Sequence, residues 1–409
     1  MHKRLTTFLK RYDILYEKQF GFREKHSTSH ATAFLSSEIY SAMEKSEKSI
    51  CVFMDLSKAF DTINIDILIE KLHHYGIRGI VNNWFRSYLT GRSQFVSINS
   101  NSSDNICDIL HGVPQGSILG PLLFSIYVND FWKCLNNSQA IMFADDTTIV
   151  FKGKSLENII PQVNKDLSSA SDWLAENKLS LNVLKTNFMR FDLSRKKNFA
   201  CDIKICNDPI DEVQTQKFLG VIFDNKLNWK KHINSVISKL NSCLGATRRA
   251  RGYLNKTALF NIYHSLMQSR LNYCCSTWAA WEPRGNKVIL QRLQAVCNKF
   301  FRLIFNLDRR ASVRDLLKSN NIFNVFQNYN FDVCKHMYQA VNNESPKPLQ
   351  KTLTIENEFF FFKAPRIKQT RKSVHFAGPH IWSTLPTKLI DECDFLKFKE
   401  SLKKHIINE

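Results

Sequence analysis

The chain has 409 residues, 44% of them hydrophobic, enough to bury the cores of two or three domains. Its 57 Lys and Arg against 37 Asp and Glu leave +20 at pH 7, a balance that disfavours basic partners and puts polyanions, nucleic acid first, ahead of them. No apolar run approaches the roughly 20 residues of a membrane-spanning helix, so no membrane partner is expected. The 11 scattered cysteines include the neighbours Cys274 and Cys275 but no C-x-x-C pair and no Cys/His set with structural-zinc spacing, which fits a reducing, intracellular setting.

From the N-terminus, Leu5, Phe8, Leu9, Tyr12 and Leu15 lie near one face of a helix expected over Met1 to Lys18. Gln19-Phe20-Gly21-Phe22-Arg23 follows, and a second helix is expected from about Thr28. Arg23 is either a nucleic-acid contact or an ordinary loop arginine. Ile50 to Met54 is a strand-like apolar run that ends on Asp55 and continues as Leu56-Ser57-Lys58-Ala59-Phe60-Asp61. Ile65, Leu68, Ile69 and Leu72 mark a helix to about Tyr75, with Gly76 as its stop. Val81 to Leu89 is a further helix, and Phe95 to Ile98 alternates like one arm of a hairpin.

Gly112-Val113-Pro114-Gln115-Gly116-Ser117 is a Gly/Pro-rich loop opening onto a helix through Leu119, Leu122, Leu123 and Ile126. Its glycines let backbone approach a ligand closely. Next come Ala140-Ile141-Met142-Phe143, Ala144-Asp145-Asp146, and the β-rich Thr147 to Phe151, which read as a hairpin with both carboxylates at a tight turn. Adjacent aspartates repel each other unless a cation sits between them. The pair is therefore either a solvated acidic turn or a cation site. Two strands that each deliver Asp to one sheet end could build a two-metal site for phosphoryl transfer.

In this order, Met54 to Asp61, Gly112 to Pro121 and Phe143 to Asp146 resemble motifs A, B and C of a reverse transcriptase. The likeness is to the non-LTR, LINE-type retrotransposon polymerases of the jockey and CR1 kind. It is sharpest over residues 19 to 230, and Gln19 to Thr28 resembles the motif just ahead of motif A. The fold it implies is an α/β (α+β) polymerase palm with an antiparallel sheet, a partial fingers region and a helical thumb. The implied domains are fingers over 1–50, palm over 51–225, thumb-like region over 226–341 and a C-terminal region over 342–409. Further fingers and an endonuclease are expected upstream of a chain of this kind, which marks it as N-terminally truncated.

The resemblance also assigns residues. Asp55, Asp145 and Asp146, with the Leu56 carbonyl, would hold Mg²⁺, with Mn²⁺ as the alternative. Asp61 would be structural. Phe60 is either a steric gate against a 2′-OH or a core ring. Gln115 and Gly116 would face the incoming nucleotide or template base, unless Gln115 only caps the following helix. Lys185, in a stretch resembling motif D, is either the general acid that protonates pyrophosphate or a solvated lysine. Phe218, Leu219 and Gly220, in a short strand ending near Asp224, would form the primer grip.

Beyond it, Asn228 to His232 starts a helix with Lys230, Lys231 and Lys239 opposite its apolar face and Arg248, Arg249 and Arg251 past its end. Thr257 to Arg270 and Lys287 to Phe305 are further amphipathic helices, joined through a turn at Pro283-Arg284-Gly285-Asn286. Trp278 and Trp281 are either base-stacking or buried, and Phe359 to Phe362 reads as a buried strand.

The implied partners are an RNA template, a DNA primer or target DNA, and dNTPs. The implied activity is RNA-directed DNA polymerisation, and the nucleus is the implied location. Its main rival is an inactive element-derived fragment that binds nucleic acid without polymerising. RNA-templated RNA synthesis and a maturase-like role are weaker rivals, the first opposed by Phe60. Arg195-Lys196-Lys197 is too short a basic run to establish nuclear import.

Overall fold

The computed structural model describes residues 1–99, 101–102, 106–192, 201–206, 208–280, 287–352, 355–356, 359–360 and 366–408. Trp281, the turn at 283–286, Arg195 to Lys197, and Phe361 and Phe362 lie outside them. The chain forms two compact units. The first comprises Met1–His26 and Glu47–Arg190 with the described residues from 201 to 213; the second holds Ser27–Ser46 and nearly everything from Gln214 onward.

The first unit is built on a five-stranded sheet. Its strands are β1 (Lys48–Met54), β2 (Gln139–Phe143), β3 (Asp146–Gly153), β4 (Asn187–Phe191) and β5 (Asp211–Glu212), in the order β5-β4-β1-β3-β2. β1 pairs antiparallel with β3, and β3 with β2, whereas β5 joins β4 in parallel. The expected antiparallel sheet is thus mixed at its far edge. β1 is buried from Ser49 to Met54, which explains its unbroken apolar run. Ile50, Val52 and Met54 share one core with Leu68 and Leu72 of helix Ile65–His74, Leu123 of helix Gly120–Tyr127 and Leu167 of helix Leu156–Glu176.

Local chemistry sets the boundaries. The Asn64 side chain caps helix Ile65–His74 by accepting from the Ile67 amide at 3.1 Å, and Gly76 at φ +91° follows its end. Pro121 occupies the first turn of helix Gly120–Tyr127, where a missing N–H costs nothing. The first helix is shorter than expected: it covers His2–Arg11 and stops before Asp13, whose φ is +48°. The buried Asp166 carboxylate accepts from the Asn137 amide at 2.9 Å and the Ser138 hydroxyl at 2.6 Å, which anchors the loop feeding β2.

The second unit is mainly helical. It contains helix Thr28–Glu44, the hairpin of β6 (Thr215–Phe218) and β7 (Val221–Asp224), and helices Lys230–Ala250, Lys287–Phe305 and Val325–Val341. The stretch expected as one strand near Asp224 is therefore two strands around a Leu219-Gly220 turn. The helix expected over Thr257 to Arg270 is interrupted by a π-helical turn at Tyr263–Gln268. Trp278 is fully buried, and Phe359–Phe360 pairs with Ile355–Glu356. Among the described residues no helix is long and apolar enough to cross a membrane.

Candidate active site

Register places the carboxylates. Phe143 pairs with Asp146, so Ala144 and Asp145 are the two loop residues between β2 and β3. Met54 pairs with Thr147 across β1 and β3, which sets Asp55, the residue after β1, abreast of Asp146. Three carboxylates from two separate stretches of sequence thus reach one end of the sheet. The Asp146 carboxyl titrates above its ordinary value, first through partial desolvation and then through the negative charges of Asp145 and Asp55. An unbalanced set of hard oxygen donors of this kind suits a divalent cation in its chemistry. Among the described residues, however, no three His, Cys, Asp or Glu side chains stand close enough to enclose an ion as arranged.

The stretch after helix Leu156–Glu176 closes this end. Leu56 bridges Leu181, with Ser57 N donating to Ser180 O at 2.8 Å and Asn182 N to Asp55 O at 2.8 Å. These bonds use the carbonyl of Asp55 and the amide of Ser57, leaving the Leu56 carbonyl out of the ladder. Lys185 Nζ lies 3.7 Å from Asp55 Oδ2, with both side chains solvent-accessible. An exposed pair at that distance contributes little to stability.

The Gly/Pro-rich loop packs onto the turn after β1. Gly112, at φ +81°, donates its N–H to Ile63 O at 2.8 Å, and a Cβ there would come within 2.9 Å of the Asp61 backbone. Val113 N donates to Phe60 O at 3.1 Å. Gln115 Nε2 donates to Asp61 Oδ1 at 2.6 Å, so this amide is tied to the neighbouring loop; Gly116, at φ +80°, faces open space. The half-buried Phe60 ring stacks on Phe124 at 4.3 Å and meets the edge of the exposed Phe22 at 6.1 Å. Arg23 turns inward, with Nη1 donating to the carbonyls of Tyr16 at 2.6 Å and Gln19 at 3.3 Å.

One contributor was placed in the motif ahead of Asp55 by the sequence but given no role there. Gln19, 2% exposed, touches the carboxylate turn directly. No periodicity or spacing signal links it to a residue 125 positions away.

In the second unit, Leu219 (φ +44°) and Gly220 (φ +80°) form the β6–β7 turn. The Tyr273 hydroxyl donates to Leu219 O at 2.8 Å, while Phe218 is buried with its ring edge-on to Phe223. The Asp224 carboxylate accepts from the amides of Lys226, Asn228 and Trp229, and His232 Nδ1 accepts from Ile222 N at 3.2 Å. The hairpin is thereby pinned to the start of helix Lys230–Ala250.

An α+β sheet carrying converging carboxylates at the ends of adjacent strands defines a polymerase-type fold. Residues 1–223 match the family of reverse transcriptases (RNA-dependent DNA polymerases), and the chain belongs to that family. It is 26% identical over 334 residues to the "Probable RNA-directed DNA polymerase from transposon X-element" of Drosophila melanogaster, covering 78% of this chain and 36% of that relative. It is 27% identical to the transposon BS polymerase of the same organism, covering 63% and 29%, and 26% identical to that of mobile element jockey, covering 62% and 28%. The chain therefore spans about a third of the length of the curated relatives it matches. Its likeness among solved structures includes telomerase from Candida albicans, at 14% identity and a TM-score of 0.38, covering 77% of this chain and 53% of that one.

Proposed function

We propose that this chain carries the polymerising part of a non-LTR retrotransposon reverse transcriptase. It extends a DNA primer 3′-OH with dNTPs on an RNA template, and acts in the nucleus. The observation that carries this reading is the register that sets Asp55 abreast of Asp146 and beside Asp145. Those carboxylates, with the Leu56 carbonyl, would hold Mg²⁺ or Mn²⁺. When bound, a pair of such ions supplies charge stabilisation to the attacking and leaving oxygens of an in-line displacement.

The protein's own groups position and select. Phe60, braced by Phe124, presents a ring against the sugar that disfavours a 2′-OH. Gln115 and Gly116 line the approach of the nucleotide, with Gln115 released from or retained by Asp61. Arg23 acts through the loop it ties to Tyr16 and Gln19. Lys185 stands close enough to Asp55 to belong to the same site and donates a proton to pyrophosphate as its bond to the α-phosphorus breaks. Phe218, Leu219 and Gly220 grip the primer end. Residues 1–50 act as fingers, 51–225 as palm and 226–341 as thumb.

The test is primer extension on a primed RNA template with dNTPs and Mg²⁺, run beside Asp145→Ala/Asp146→Ala and a gel-shift on the same duplex. Extension by the wild type alone supports a polymerase. Binding by both without extension by either makes the chain a nucleic-acid binder, the reading favoured in the absence of turnover by its +20 charge.

A further inference from the structure

We infer that Gln19 and Gly21 are positioning residues that set the aim of the carboxylate turn from outside the hairpin; this rests on the polymerase reading above. The geometry is local and specific. The Gln19 Oε1 atom accepts two backbone N–H groups, from Gly21 at 2.9 Å and from Ala144 at 3.1 Å. The second is the first residue of the turn that presents Asp145. The backbone on either side runs alongside β2: Met142 N donates to Lys18 O at 3.0 Å, and Phe20 N donates to Met142 O at 2.7 Å. Gly21 then lies against the turn so closely that a Cβ would overlap the Ala144 amide nitrogen and come within 3.0 Å of the Phe143 carbonyl carbon.

Two features separate positioning from ordinary packing. In a two-residue hairpin loop the first loop amide has no ladder partner, and here a side chain from a distant stretch of sequence supplies one. Ala144 also sits at φ +56°, a left-handed conformation less favourable for a residue with a Cβ than for glycine. Gln19 braces the turn at a cost to itself. Its Nε2 is equally buried and finds no partner among the described residues. The amide cannot be flipped to cure this, because both neighbours of Oε1 are donors.

Positioning of this kind acts on the metal-holding carboxylates and the chemical step rather than on dNTP binding, since a displacement of about 1 Å at reacting groups costs on the order of 10²-fold in rate. Gln19→Met keeps the volume and removes the acceptor. Gly21→Ala keeps the acceptor and displaces the turn. Both are compared with wild type in single-turnover incorporation on a primed RNA template, in the electron paramagnetic resonance titration of Mn²⁺, and in thermal unfolding. The expected result is a ten- to hundredfold fall in incorporation rate, a dNTP KM within about twofold of wild type, and weakened Mn²⁺ binding. The melting temperature of Gln19→Met should fall modestly, because the amides of Gly21 and Ala144 lose their acceptor while one unpaired donor is removed. Incorporation and Mn²⁺ binding at wild-type levels in Gln19→Met would overturn the assignment.

Amide hydrogen exchange in the unaltered chain tests the same contact even where a variant does not fold. Ala144 N–H should exchange slowly, and fast exchange also defeats the proposal. If wild type extends no primer, the polymerase reading fails on its own, while exchange and Mn²⁺ binding still report on the strut.

Discussion

The two hairpin turns given functional roles here solve the same geometric problem in opposite ways. Both are two-residue loops between antiparallel strands, Ala144-Asp145 in the first unit and Leu219-Gly220 in the second. The second turn carries positive φ at both positions, the torsions that match the right-handed twist of flanking strands, and places glycine at one of them. The first has no glycine. It holds Ala144 at φ +56° and depends on the Gln19 side chain for the amide that the ladder leaves unpaired. The first turn is braced through its leading amide by Gln19 Oε1; the second is held through the Leu219 carbonyl by the Tyr273 hydroxyl and has glycine at one of its two left-handed positions.

The largest expected effect lies at the braced turn. Asp146→Asn should lower primer extension by about 10²-fold or more, the scale of removing one preorganised electrostatic group. The same change should raise stability. The carboxyl of Asp146 titrates above its ordinary value in the folded chain, so the unfolded chain releases its proton first and stability falls as pH rises through the carboxylate range. Removing the charge removes that loss at neutral pH. Melting with and without the substitution at pH 7 measures it, and a clear drop in melting temperature would mean the repulsion is already compensated.

The β6–β7 hairpin has its own pH dependence of opposite sign. His232 is 6% exposed, and burial, then Lys239, lower its pKa from 6.5 to about 4. Its Nδ1 must be unprotonated to accept from Ile222 N. Stability is therefore full above about pH 6.5 and lost as pH falls toward 4, because the unfolded chain takes the proton first. At 1.36 kcal/mol per pKa unit the full loss is roughly 3 kcal/mol. Denaturant unfolding of His232→Gln between pH 4 and 7 should show a flatter profile than wild type; parallel profiles would place the dependence elsewhere.

Much of this was legible in sequence. The apolar run into Asp55, the Phe143-to-Asp146 stretch and helix Lys287–Phe305 each combine strong patterning with a clear boundary signal, and each forms as expected. What escaped is tertiary. Gln115 and Arg23 carry no mark of the partners they find, Asp61 and the carbonyls of Tyr16 and Gln19. The split at Leu219-Gly220 was hidden because leucine at φ +44° contradicts its usual preference, and the Tyr273 hydroxyl that holds its carbonyl comes from 54 residues away. Gln19 stood at the head of the motif before Asp55 without a role of its own, because that role exists only once residues 125 apart meet.

The smallest effects discriminate best between the two turns. Gly220→Ala puts a Cβ at φ +80° and 3.0 Å from the Tyr273 ring, so the left-handed penalty of about 1–2 kcal/mol should appear in full as lost stability. Ala144→Gly runs the other way. Glycine relieves a penalty of that same size but adds about 0.5–1 kcal/mol of backbone entropy to be lost on folding. The balance is a gain of about 0.5 kcal/mol, with Gln19 still bound to the amide. Equilibrium denaturation of the two variants side by side separates the cases: opposite signs mean that Ala144 carries strain that glycine relieves, whereas Gly220 already sits where glycine is preferred. Equal losses would mean that Ala144 packs too well in its buried site for the torsion to matter, and the contrast between the turns would then rest on Gln19 alone.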